Sequence, residues 1–191
     1  MKRGTIRITG TAPMLMHSDR LANPLDPATI KHQELTKIRT KTRDIHEAIM
    51  RSLWFGSLYL DNENRIVMPG QNIRKVLIEG ARFHKRGKDI ERGVIINSEH
   101  FPFEYEGPKD IDKLWDKKEF RDIRSVVVAR RRVMTCRPRF NAWACSVDIL
   151  YDDTVINTGD LSIAIEQAGQ LVGLCDYRPL FGRFHGELIN G

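Results

Sequence analysis

The stretch Asn157 to Phe184, NTGDLSIAIEQAGQLVGLCDYRPLFGRF, constrains the fold most, because it joins a helix with both ends marked to a loop and a strand. Asn157 is placed to cap the helix, and Asp160 falls at the third helical position, near the positive end of the helix dipole. Leu161, Ala164, Ile165, Ala168, Leu171 and Val172 recur every three or four residues, so one face is apolar. Gly173 stands where a left-handed C-terminal residue is wanted. Gly169 and Gly173 form a GxxxG pair, which in an amphipathic helix means close packing. Beyond the helix, Arg178, Gly182 and Arg183 bring cations and a flexible backbone together. Such a loop can approach phosphates closely, because glycine removes the side chain that holds the backbone off.

The rest of the chain alternates strand and helix signals. Ile6 and Ile8 alternate with Arg7 and Thr9, which predicts a half-buried first strand over Thr5–Thr11. Asp19 to Thr29 is proline-bearing and aperiodic, so it reads as a loop. From Ala28 to Phe55 the pattern is helical. Its basic middle, KIRTKTR, is a solvated face, an exposed helix tip or a break between two helices. Ser57 to Met68, with DNEN at its centre, reads as a β-hairpin. Gln71 to His84 predicts a second helix that buries Ile73, Val76, Leu77 and Ala81. Val94–Ile96 and the alternating Phe101, Phe103 and Tyr105 predict strands, and Pro108–Phe120 a short helical turn. Arg124–Thr135 and Trp143–Leu150 read as two further strands, linked through RPRFNA into a basic hairpin. Phe184–Ile189 closes the chain as a strand.

Seven arginines and one acid, Asp122, lie between Arg121 and Arg139, with no lysine. Arginine suits bidentate phosphate contacts and stacking on bases. The net charge of +6 over 191 residues agrees with an anionic partner, but the clustering carries the argument. Phe140, Trp143, Tyr177 and Phe181 lie near arginines and are candidates for stacking on bases. The three cysteines, Cys136, Cys145 and Cys175, form no CxxC pair, so the expectation is small buried residues, no metal and no cofactor. No apolar run has the length of a membrane span.

Two stretches together resemble a known family. MPGQNIRKVL, Met68 to Leu77, is similar to the "proline, small residues, then a basic-apolar helix" signature of the RAMP superfamily, the Cas7-like backbone subunits of CRISPR effector complexes. The C-terminal helix followed by Gly182-Arg183-Phe184 resembles that superfamily's glycine-rich loop, although Gly173-Leu174-Cys175 replaces its usual double glycine. The chain also looks like small proteins of tailed phages and prophages. The resemblance implies an α+β, RRM/ferredoxin-like antiparallel sheet with helices on one face and inserted hairpin and loop elements. It implies one domain over residues 1–191, with room for a small insertion at about 94–140. It also implies polymerisation along a nucleic-acid strand.

The expected function is therefore sequence-independent binding of single-stranded nucleic acid by a homo-oligomer or filament in the cytoplasm, with no membrane partner. DNA is favoured for a phage protein and RNA otherwise. The expected contacts are Arg124, Arg130, Arg131, Arg132, Arg137 and Arg139, with Arg178 and Arg183, Arg74 and Lys75, and the rings of Tyr177 and Phe181. Strand alternation puts Arg130 and Arg132 on one face and Arg131 on the other. Two alternatives stand beside this reading. One is an RNA endonuclease using Asp19, with His17 and His46 as the other members of the candidate constellation. The other is a protein-interaction module acting on a host CRISPR complex.

Overall fold

Alternation at the N-terminus builds the central strand of the larger sheet. In the computed structural model, which describes residues 1–190 and of Val128 and Asn190 only the backbone, this strand is β1 (Lys2–Gly10). The chain continues through β2 (Met14–Leu15), α1 (Pro27–Lys37) and α2 (Arg43–Gly56). Then come β3 (Val67–Pro69), α3 (Gly70–Arg82), α4 (Gly87–Gly93), β4 (Val94–Ile96) and β5 (His100–Tyr105). A helix α5 (Ile111–Asp116) precedes β6 (Arg121–Val128) and β7 (Arg131–Phe140), and β8 (Trp143–Tyr151), α6 (Thr158–Gln167) and β9 (Phe184–Asn190) finish the chain. The fold is α+β with antiparallel pairing.

The chain divides into two compact units. One comprises Met1–Met14, Leu60–Glu106 and Asn141–Gly191, and the other Leu15–Tyr59 and Gly107–Phe140.

The first unit holds a six-stranded sheet in the order β3-β5-β8-β1-β9, with β4 also paired to β8. Ile6 stands opposite Val147 on one side and Leu188 on the other. The inward face carries Ile6, Ile8, Trp143, Cys145, Val147 and Phe184, all buried. Two helices cover that face: α3 through Ile73, Val76, Leu77 and Ala81, and α6 through Leu161, Ala164 and Ile165. The cap on α6 forms as the sequence predicts, with Asn157 Oδ1 accepting the Asp160 N–H at 2.9 Å. Gly169 marks a close approach, since a Cβ there would sit 2.1 Å from the Phe184 carbonyl oxygen.

The end of this helix differs from expectation. Ala168–Val172 widens into a π turn, and the Gly173 N–H reaches back to the Ala168 carbonyl at 2.8 Å. The widening leaves Leu171 exposed. Gly173 has φ +80° and ψ 160°, a conformation open to glycine but not the left-handed helical one. The expected hairpin over Ser57–Met68 reduces to a single bridge, Leu60 to Ile66. Asp61 holds the turn by accepting the Glu63 and Arg65 N–H groups at 2.9 and 2.8 Å. β3 pairs instead with β5, Met68 opposite Phe101.

In the second unit the helical stretch 28–55 is two helices. Asp26 caps α1, with Pro27 in the first turn where its missing N–H costs nothing. Ile38 leaves helical geometry, and Thr42 caps α2 by accepting the Ile45 N–H. The basic segment is thus the break between helices. α2 drives Trp54 into the core, where its indole N–H donates to the Phe120 carbonyl at 2.7 Å and its ring meets Trp115 edge-on at 5.5 Å. The segment expected as a loop contains a short 3-10 turn, Asp19–Ala22. β6 and β7 form a hairpin, and Met16 adds to β7 through its N–H to the Pro138 carbonyl at 3.0 Å.

Candidate nucleic-acid interface

The basic hairpin exists, but its strands are not the expected ones. RPRFNA is not the connecting loop: Arg137 to Phe140 belong to β7, and β8 lies in the sheet of the other unit. The register runs from Arg121 opposite Pro138 to Val128 opposite Arg131, so Ala129 and Arg130 alone make the turn. Both have positive φ, +46° and +66°, as a two-residue type I′ turn requires. Sequence reasoning looks for Asn-Gly or Gly-Gly at such a turn and passes over Ala-Arg.

The register also sorts the arginines. Arg130 lies in the turn, so strand alternation does not bind it to the face of Arg132. Arg131 shares a face with Arg124, Arg137 and Arg139, together with Asp122. Arg132 stands opposite Val127 on the other face and donates to Ser125 Oγ at 3.2 Å.

Root and tip differ in character. At the root, Asp122 is buried and takes both Nε and Nη2 of Arg124. Arg137, opposite Asp122, is buried, and Arg139 is half-buried. Arg121 lies 3.9 Å over the Trp115 ring. These five side chains anchor the hairpin, so Arg124 and Arg137 are structural rather than groove-lining. At the tip, Arg130, Arg131 and Arg132 are exposed. Below them Ile123, Val127 and Met134, on the Arg132 face, are 55, 66 and 47% exposed, and Val133, on the opposite face, is 47% exposed. Sequence reasoning missed this apolar strip, because the run Val126-Val127-Val128 reads as core until the register shows which way each side chain points.

The C-terminal loop sits in the first unit and does less than expected. A Cβ on Gly182 would meet the Leu174 carbonyl oxygen at 1.9 Å, and the Gly182 N–H donates to the Pro13 carbonyl at 2.8 Å. The glycine therefore serves backbone packing inside the fold, and its amide is committed. Arg178 is tied to Glu79 at 2.9 Å. Arg183 is exposed, while its carbonyl takes the Thr11 and Ala12 N–H groups. Tyr177 is exposed and meets the half-buried Phe181 edge-on at 6.1 Å. On α3, Lys75 and Arg74 are exposed, with Arg74 reaching the Glu91 carbonyl at 3.0 Å. Phe140 and Trp143 are core residues, with the Trp143 indole donating to the Ala12 carbonyl at 2.9 Å.

The open face of the six-stranded sheet carries Arg7, Glu104, Ser146, Asp148, His185 and Glu187, and no Phe, Tyr or Trp ring among the described residues. Arg7 is clamped by Glu104, and the hydrogen bond from that guanidinium holds the Glu104 carboxyl below its usual 4.5.

Asp19 opens the 3-10 turn and is exposed, as are His17 and His46. No side-chain hydrogen bond joins these three, and no cluster of three His, Cys, Asp or Glu suited to a metal occurs among the described residues. Burial pushes the Cys136, Cys145 and Cys175 thiols up to about 12, so none is poised as a nucleophile. No helix among the described residues is long and apolar enough to cross a membrane. No protein-family model matches the chain, and no curated protein is significantly similar to it.

Proposed function

We propose that this chain binds single-stranded nucleic acid without sequence preference, through the tip of the β6–β7 hairpin. The observation that carries the reading is the tip itself, three exposed arginines above exposed Ile, Val and Met side chains. Arginines neutralise phosphates and stack on bases, and apolar side chains wedge between unstacked bases. The chemistry serves DNA and RNA strands alike. Because the open sheet face lacks Phe, Tyr and Trp rings among the described residues, base contact falls to the hairpin rather than to that face.

The larger sheet supports an RRM/ferredoxin-like reading. Its strands β5-β8-β1-β9, with α3 and α6 packed on one face, suit the split βαβ arrangement of that class. A Cas7-like protein of this kind assembles as copies along one strand. On the first unit, taken by itself, exposed Arg183, Tyr177, Arg74 and Lys75 are further candidates for backbone and stacking contacts.

The test is fluorescence anisotropy with single-stranded DNA, single-stranded RNA and duplex DNA of equal length across a salt series. Binding is expected to favour a single strand and to weaken with salt. Changing Arg130, Arg131 and Arg132 together to Ala is expected to flatten the salt slope by about 0.7 for each phosphate no longer neutralised. The three side chains are exposed, so the fold is retained. An unchanged slope removes the hairpin from the interface, and no binding at low salt ends the proposal.

A further inference from the structure

The α1–α2 pair holds a pocket that the hairpin reading leaves unused. Of the eleven residues of α1, only Thr29 is buried, so the helix lies on α2 without closing the groove between them. The groove opens into a cavity of about 490 Å³. That volume lies in the range of small-ligand sites, about 300–1,000 Å³. Its walls are apolar because Ala28, Leu35 and Ala48 face it, and the two alanines leave room that larger residues would fill. One side is cationic, where the Arg20 guanidinium lies 5.6 Å from the centroid of the Phe55 ring. Lys31 and Arg51 also line the cavity. The one carboxylate in the lining, Asp112, is bonded to Arg51 at 2.6 Å. Ser52 is already committed, donating to the Ile49 carbonyl at 2.8 Å and meeting His32 Nδ1 at 2.7 Å.

The three cations of the lining outnumber the two carboxylates paired with them, Asp112 with Arg51 and Asp26 with Arg20 at 3.5 Å, so the site favours an anion. An apolar slot beside an arginine and a phenyl ring suits a planar ring, which stacks on either group. One ligand class joins the two demands. We propose that the α1–α2 pocket binds a nucleoside monophosphate, its base stacked on the Arg20–Phe55 platform and its phosphate held by Lys31 and Arg51. This does not rest on the hairpin reading, since no hairpin residue lines the pocket.

The experiment is isothermal titration calorimetry of the full chain with AMP, adenosine and inorganic phosphate. AMP is expected to bind one to one, at least tenfold more tightly than adenosine or phosphate. Lys31→Glu, at an exposed position, is expected to weaken AMP about tenfold or more, the scale of one charge-assisted contact. Ala48→Phe fills the slot and is expected to abolish binding. The triple arginine-to-alanine hairpin variant is expected to bind AMP as the unmodified chain does. No heat with AMP at millimolar concentration overturns the proposal. So does phosphate or adenosine binding as tightly as AMP, or Lys31→Glu binding AMP unchanged. Because Lys31 is on the surface, that variant remains decisive even where Ala48→Phe fails to fold.

Discussion

The turn of the β6–β7 hairpin offers a test in which stability and binding move in opposite directions. Ala129 and Arg130 both occupy positive φ, at +46° and +66°. A left-handed backbone costs a non-glycine L-residue roughly 1–2 kcal/mol. Arg130→Gly removes that strain but adds about 0.5–1 kcal/mol of chain entropy to the unfolded state, for a net gain of about 0.5–1 kcal/mol. Ala129→Asn gains about 0.5 kcal/mol, because asparagine tolerates this region. The double variant Ala129→Asn with Arg130→Gly is therefore expected to be more stable by about 1–1.5 kcal/mol. For a chain of this size that raises Tm by about 3–5 °C. Thermal unfolding checks the shift, and hydrogen exchange at the amides of β6 and β7 checks its location. The same variant lacks one tip arginine, so its affinity for a single strand is expected to fall and its salt slope to drop by about 0.7. A lower Tm would refute the two-residue turn. Unchanged affinity would remove Arg130 from the contact. A higher Tm together with weaker binding would show that the strained turn keeps Arg130 at the expense of stability.

The geometry sets further expectations. Asp122→Ala leaves Arg124 without its carboxylate at the hairpin root; with Arg124 a quarter exposed, the destabilisation is expected to be about 2–3 kcal/mol in urea unfolding, and an unchanged midpoint would refute the anchor. Gly182→Ala drives a Cβ to 1.9 Å from the Leu174 carbonyl oxygen at φ +75°, so it is expected to destabilise by about 3 kcal/mol or more, whereas a tolerated alanine would return Gly182 to the surface. Glu104 has a folded pKa below its ordinary 4.5, chiefly through the hydrogen bond from Arg7, so its contribution is present above pH about 4.5 and is lost as pH falls through the depressed value; the stability difference between the unmodified chain and Glu104→Gln is expected to vanish in that acid window, and a difference persisting there would contradict the pairing.

Local periodicity carried much of the larger sheet. β1, α3 and α6 each bury one face against the same core, so alternation at Ile6 and Ile8 and helical spacing at Ile73, Val76 and Leu77 mark them directly. The errors fall where a local pattern is ambiguous about its partner. Ser57–Met68 has strand-like residues on both sides of a turn, but β3 finds a better neighbour in β5, with Val67 opposite Pro102. Pro138 looks like a loop residue. It sits in β7 opposite Arg121, the first residue of β6, and its carbonyl serves Met16.

The candidate site shows the deeper limit. The arginines between Arg121 and Arg139 are visible in the sequence, but their division of labour is not. Asp122 decides it, because one buried carboxylate at the root claims Arg124 and leaves the charge at Arg130–Arg132 facing outward. The same register that buries Cys136 and Phe140 carries the strands past the core, and there Ile123, Val127 and Met134 meet solvent. An isolated hairpin with apolar side chains in water is marginal by itself. Its anchored root supplies the rigidity, and its exposed tip is the surface on which the proposed strand binding rests. If the tip's apolar strip touches bases, Val127→Ser with Met134→Ser should weaken single-strand binding while leaving the salt slope unchanged, since every arginine–phosphate pair remains. A change in slope without a change in affinity at low salt would reverse that assignment and leave the strip to another partner.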